Sequence, residues 1–185
     1  MEEPEKHGLR SRDIILRYGL ISGGATILYA AVLYLIDPGL IFGYYGYIGV
    51  AIAFALAVAA AVARRKNNGG YISYGDSVVT SLATFSISSA IYTIYMLLMY
   101  FVIDPRLIDK MKSLQMDKLD EYAAKGSLSK VQLAAAQARI EGMDSNTILF
   151  YSIMGLIVMV IIGLLIFLLT SIFIKNESPF RKELA

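Results

Sequence analysis

The side chains with the most chemical capacity in this sequence are hydroxyls on a ladder. Ser77, Ser81, Thr84, Ser88, Tyr92 and Tyr95 follow one another in steps of three or four residues, which puts all six on one face of a helix. Such a face can line a hydrated path or a small-ligand site between helices. It can equally serve packing, because small hydroxyl residues let helices approach and bond across the interface or back to their own carbonyls. Packing is the reading favoured here. As nucleophiles these hydroxyls have no base to activate them. The single histidine, His7, lies in a charged N-terminal segment, and no Gly-x-Ser-x-Gly, His-Glu-x-x-His or Walker-type sequence occurs. With no cysteine, thiolate metal sites and cysteine nucleophiles are excluded. The chain is therefore expected to be no enzyme and to use no cofactor or metal. A net charge of +2 gives no basis for a nucleic-acid partner.

The elements that position the ladder follow from composition. In 185 residues, 57% are hydrophobic and 17% charged, more apolar than one soluble core of this length can enclose, so the solvent is lipid. Four apolar runs, about 18–36, 40–63, 77–103 and 147–174, contain no Asp, Glu, Lys, Arg or His. Each is long enough to cross a hydrocarbon layer about 30 Å thick. The first run is too long for a signal-peptide core and is read as a retained anchor. Asp37-Pro38-Gly39 separates the first two runs so briefly that they must form an antiparallel hairpin. Absence of an acid or base within the runs argues against ion-coupled transport.

Orientation comes from Lys and Arg. With four spans, the N-terminal segment, the loop 64–76 and the C-terminal tail with Lys175, Arg181 and Lys182 share one side and hold ten of the seventeen basic residues. That side is expected to be cytoplasmic. Tyr44, Tyr45, Tyr47, Tyr100 and Tyr151 would mark one interface, and Tyr18, Tyr71 and Tyr74 the other.

Between the third and fourth runs lies the largest polar segment, 104–146. Asp104-Pro105 has the form of a helix start. Ile103, Leu107, Ile108, Met111, Leu114, Leu119 and Tyr122 recur at roughly helical spacing. A turn at 126–129 follows, and Ser129 with Gln132 fits a capping box for a second helix to about Ile140. Asp109, Asp117, Asp120 and Glu121 interleave with Lys110, Lys112 and Lys118 as a solvated face. The expected fold is thus an all-α membrane protein: one domain of four transmembrane helices, with an extracytoplasmic helical hairpin inserted between spans three and four.

Two further patterns concern packing. Gly19 and Gly23 make a Gly-x-x-x-Gly pair in the first run, and Ala51, Ala55, Ala59 and Ala63 recur every fourth residue in the second. Both are close-approach faces, within one chain or between chains. Ile36-Asp37-Pro38-Gly39-Leu40-Ile41 and Ile103-Asp104-Pro105-Arg106-Leu107-Ile108 differ at one position of six, which raises a duplicated helical hairpin. The match is short, and Asp-Pro is a general way to end one helix and begin another.

The block Lys66-Asn67-Asn68-Gly69-Gly70-Tyr71-Ile72-Ser73-Tyr74-Gly75-Asp76 opens the third span, which contains Ile91-Tyr92-Thr93-Ile94-Tyr95 and ends in Phe101-Val102-Ile103-Asp104-Pro105. With Arg17-Tyr18-Gly19-Leu20 at the start, the chain resembles the bacterial domain-of-unknown-function family 4199 over nearly its whole length. The resemblance implies a four-span protein of the bacterial inner membrane with a variable outer insert, and it carries no catalytic or ligand residues. Within the block, Gly69-Gly70 releases the second helix, and Asp76 or Ser77 caps the third.

Two functions compete on these grounds. One is an accessory or scaffold subunit acting through helix packing and its outer hairpin, with the bilayer and another membrane or periplasmic protein as partners. The other is a small passive channel or transporter that uses the hydroxyl face. A wet cavity along Ser81, Thr84 and Ser88 would favour the second, and a dry interface the first.

Overall fold

The computed structural model describes residues 11–127 and 129–176. His7, Arg10, the turn residue Leu128 and the basic residues Arg181 and Lys182 lie outside them. The described chain runs as α1 (Ser11–Ile36), a 3-10 turn (Pro38–Phe42), α2 (Gly46–Asn67), α3 (Tyr74–Leu98) extended by a π-helical turn (Met99–Ile103), α4 (Arg106–Ala124), α5 (Lys130–Glu141) and α6 (Ser145–Ile174). Four of these, α1, α2, α3 with its π turn, and α6, are long and apolar enough to cross a membrane. Their outer faces carry large exposed apolar side chains such as Leu28, Leu165 and Phe173. The protein is a multi-pass membrane protein.

The third span is the central one, packed on by α1, α2 and α6. α1 lies parallel to it, and glycine sets the approach. A Cβ on Gly19 would sit 2.8 Å from Ile87, and one on Gly23 2.9 Å from Ile91, so any larger side chain would force the helices apart. α2 and α6 lie antiparallel to α3. Phe54 stacks on Phe85, and the Phe85 ring fills the space a side chain at Gly163 would take.

The connection between α2 and α3 is tied on three sides. Gly69 and Gly70 take φ of +68° and +93°, a region open to glycine at little cost. The chain then pairs Ile72 with Asn176 through two backbone hydrogen bonds, and Arg65 donates to the carbonyl oxygens of Gly70 and Ile174. The cap of α3 is Ser73, one turn earlier than the expected Asp76 or Ser77. Its hydroxyl accepts from the Asp76 backbone N–H and donates to the Asp76 carboxylate.

At the other end the Asp-Pro sequences redraw the expected boundaries. Asp37 caps a separate 3-10 turn, accepting from the Gly39 N–H at 2.7 Å, so α2 begins at Gly46 instead of Leu40. Ile41 of that turn is buried with Leu33, Met96, Met99, Tyr100, Leu107 and Ile148. Leu107, at 1% exposure, carries the first turn of α4 into the end of the bundle. Tyr100 is therefore a core residue stacked on Phe42, whereas Tyr44, Tyr47 and Tyr151 are exposed. Tyr100 lies in the π turn and is buried there against Phe42 and the neighbouring apolar cluster. Within the polar segment, Ser129 and Gln132 form the capping box of α5, and Lys112 on α4 reaches the Glu141 carbonyl at 3.3 Å.

Candidate functional site

The hydroxyl ladder of α3 divides at the level of Phe85. Toward the α2–α3 connection, Ser77, Ser81 and Thr84 are fully buried, and their hydroxyls have no hydrogen-bond partner among the described residues. Alanines face this stretch. Phe54 opposite Phe85 and Arg64 opposite Thr80 fix the register of α2, and between them Ala57, Ala60 and Ala61 are fully buried. This is a close-packed interface.

Thr80 belongs to the same buried stretch but off the ladder. It donates to the Asp76 carbonyl at 2.6 Å and accepts from Arg64 at 2.7 Å. The same guanidinium makes a 2.7 Å ion pair with the Asp76 carboxylate. A cation thus enters the edge of the bundle on a long apolar stem and keeps its charge at the rim, where the Asp76 side chain is half exposed. Arg64 and Thr80 were not among the expected site residues. Arg64 was legible only as part of a basic loop, and nothing in its position along the chain pointed inward.

Beyond Phe85 the ladder changes character. Ser88 accepts a 2.9 Å hydrogen bond from the hydroxyl of Ser22 on α1, both being buried. Tyr92 and Tyr95 are half-buried and lie ring to ring at 6.3 Å. Ser88 and Tyr92 also border a partly open cavity of about 450 Å³ lined by α1, α2, α3, α6 and the Pro38–Phe42 turn. Its floor is Phe85, which stacks on Phe54 with centroids 4.4 Å apart and meets Phe167 edge-on at 5.7 Å. Phe85 and Phe167 are both buried almost completely. The ladder is therefore not a continuous polar path, since three aromatic rings interrupt it. The spacing of Gly163, Phe167 and Ser171 on α6 is the one sequence signal that could have placed this plug.

Of the expected packing residues, Gly19 and Gly23 lie buried against α3. Of the alanines expected to make a close-approach face, Ala51 and Ala55 point outward and Ala59 is half-buried, while Ala53, Ala57, Ala60 and Ala61 form the face buried within the chain. Alanine fills both rows of α2, so small size cannot choose between them. The row that faces in is the one continued by Arg64, whose partners Asp76 and Thr80 are on α3.

Titratable groups with altered acidity sit on the polar connections. The Thr147 hydroxyl and backbone N–H both donate to Asp144 at the start of α6 and hold its carboxyl below the usual range. The Lys125 ammonium does the same for Glu121 through an exposed ion pair. Both are helix-end contacts on the surface. Among the described residues, no three His, Asp or Glu side chains come together in a way that could hold a metal ion.

The chain matches no curated protein and no solved structure. A family model described as "Protein of unknown function (DUF4199)" matches residues 17–176, a range that takes in all four membrane-spanning helices, the buried hydroxyl ladder and the tied loop between α2 and α3. The chain belongs to that family.

Proposed function

We propose that the protein is a non-enzymatic accessory or scaffold subunit of the bacterial inner membrane. Both termini are cytoplasmic, and α4 and α5 form an extracytoplasmic hairpin that contacts another membrane or periplasmic protein. The observation that carries this reading is the Phe54–Phe85–Phe167 stack, which leaves the hydroxyl face without a through path. A second feature supports it. On α5, Val131, Ala134, Ala135 and Ala138 are exposed at helical spacing, a small apolar stripe of the kind on which a partner helix packs.

A channel or transporter using the hydroxyl-lined face of the third span is the second reading, favoured by the cavity that reaches Ser88. Flux through it would require the three rings to separate. The two readings part in proteoliposomes and in mild-detergent purification. The scaffold reading expects no solute flux and a co-purifying protein that Ala135→Glu and Ala138→Glu release. Solute flux lost on enlarging Ser88 to Leu would overturn it. For the orientation, a chain without cysteine lets single replacements be labelled without background. Ser127→Cys is expected to react with an impermeant reagent from outside and Asn68→Cys only after lysis. The reverse pattern would invert the topology.

A further inference from the structure

We propose that the cavity between α1, α2, α3 and α6 binds one acyl chain of a membrane phospholipid, which enters from the bilayer between α2 and α6. The volume, about 450 Å³, falls within the usual range of ligand pockets, and the lining is mainly apolar. Its place in the bundle suits a chain lying along the bilayer normal. One end is level with Tyr47, which is 72% exposed where interfacial tyrosines belong. The other end is the Phe85 floor, where α3 is packed on both sides by the aromatic stack.

The lateral entrance follows from where α2 and α6 do and do not meet. Phe54 contacts Phe167, and Ala61 clusters with Ile174. Away from those contacts the two helices form walls of the cavity, built of the small residues Gly49 and Ala53 on α2 and Ser152 and Gly155 on α6. The backbones of α1 and α6 do not approach each other closely. Gly155 is exposed, and a Cβ built on it meets nothing within 4 Å, so that wall is open.

The polarity of the site has a direction as well. Ser89, Tyr92 and Thr93 face the cavity from α3 and make no hydrogen bond among the described residues. They lie on the interfacial side of Phe85, within reach of ester groups if the lipid sits with its head at the tyrosine level. The inner end offers Phe85 and Ala53, with the Ser88 hydroxyl already bonded to Ser22. Along its apolar lining, a cavity open to hydrocarbon is filled by hydrocarbon more favourably than by water, because water there would lack partners for its hydrogen bonds.

The test uses the full chain in vesicles of phosphatidylethanolamine and phosphatidylglycerol doped with a phospholipid carrying a diazirine on one acyl chain. After irradiation, adducts are mapped to residues. Lipid-facing Ile161 and Leu165 are expected to react, and so are Ser89 and Tyr92 inside the cavity. Gly155→Phe places a ring at the open wall. It should abolish the Ser89 and Tyr92 adducts and leave those at Ile161 and Leu165 unchanged. Gly155→Leu, a smaller filling at the same position, should give a partial loss and decides the matter if the Phe variant does not fold. Adducts confined to lipid-facing residues in the unmodified protein would overturn the proposal, as would cavity adducts that both variants leave intact. Cavity labelling by a free diazirine fatty acid but not by the phospholipid would overturn it too.

Discussion

The two halves of this bundle use the same small residues to different ends. Toward the α2–α3 connection, Ala57, Ala60 and Ala61 on α2 and Ser77, Ser81 and Thr84 on α3 are all buried completely. The helices close on one another, and Arg64, Arg65 and the Ile72–Asn176 bridge hold the rim. Toward the Asp-Pro turns, Gly46 and Gly49 on α2 face Ser152 and Gly155 on α6 without closing, and a cavity remains. Small side chains permit close approach but do not compel it. In lipid no hydrophobic force draws helices together, so contact depends on van der Waals fit and hydrogen bonds. The difference between the halves lies in what stands beside the small residues. Three phenylalanines and the arginine ties draw α2 and α6 onto α3 at one end. At the other end the apolar side chains of the Pro38–Phe42 turn and the first turn of α4 pack across the mouth of the bundle.

The strongest test of this contrast removes a ring from the closed half and an apolar side chain from the open one. Phe167 is fully buried and touches both Phe54 and Phe85. Phe167→Ala is expected to cost about 3 kcal/mol, the low end for a buried Phe, because lipid solvates the exposed groups better than water would. Leu156 already borders empty space on the cavity wall, and its replacement by Ala should cost about 1 kcal/mol or less. Reversible unfolding in mixed detergent micelles measures both. Equal costs would mean that the cavity wall is packed as tightly as the stack, and the comparison would fail.

How much of this was legible in the sequence differs between backbone and side chains. The four spans, the helical segments between the third and fourth, and the Ser129–Gln132 capping box could be read because hydropathy and capping are local signals. The hydroxyl ladder was legible as one face of one helix, and its residues Ser77, Ser81, Thr84 and Ser88 are buried. Its division at Phe85 was not, because Phe54 and Phe167 come from helices distant along the chain. The row of α2 that turns inward within the chain was not legible for the same reason: Ala51 and Ala57 are the same residue type, and only tertiary contact separates them. Boundaries moved where a cap competes with hydropathy. Leu40–Phe42 is apolar enough to extend a span, yet Asp37 turns it into a separate unit.

A smaller effect is expected at the rim of the closed half. Arg64→Met keeps the apolar stem and removes the bonds to Asp76 and Thr80. A charged hydrogen bond contributes about 1.5–3 kcal/mol when buried, but the Asp76 side chain is half exposed and water screens the pair. The Arg64 Nε is also buried without a partner among the described residues, and its removal offsets part of the loss. The net cost should be about 1 kcal/mol, with the loop near Gly69 and Gly70 gaining susceptibility to protease before the helices unfold. A loss as large as that of Phe167→Ala would mean that the rim, more than the aromatic stack, holds the closed half together.

The smallest effect is expected on the ladder itself, and there the two halves should differ in sign. Ser81 and Thr84 are buried with unbonded hydroxyls, and a buried polar group without a partner is a cost that an apolar isostere removes. Ser81→Ala and Thr84→Val should therefore leave stability unchanged or raise it slightly. Ser88 bonds Ser22 at 2.9 Å, and such bonds between membrane helices average about 0.6 kcal/mol. Ser88→Ala should lower stability by about that much, and Ser22→Ala combined with it should add almost nothing, since the bond is already gone. Cysteine accessibility provides an independent reading. A lipid-soluble maleimide should label Cys at position 89, on the cavity wall, and fail at 81 and 84 in the folded protein. Labelling at 81 or 84 equal to that at 89 would mean that the aromatic stack does not seal the lower half, and the hydroxyl face would then be a path instead of an interface.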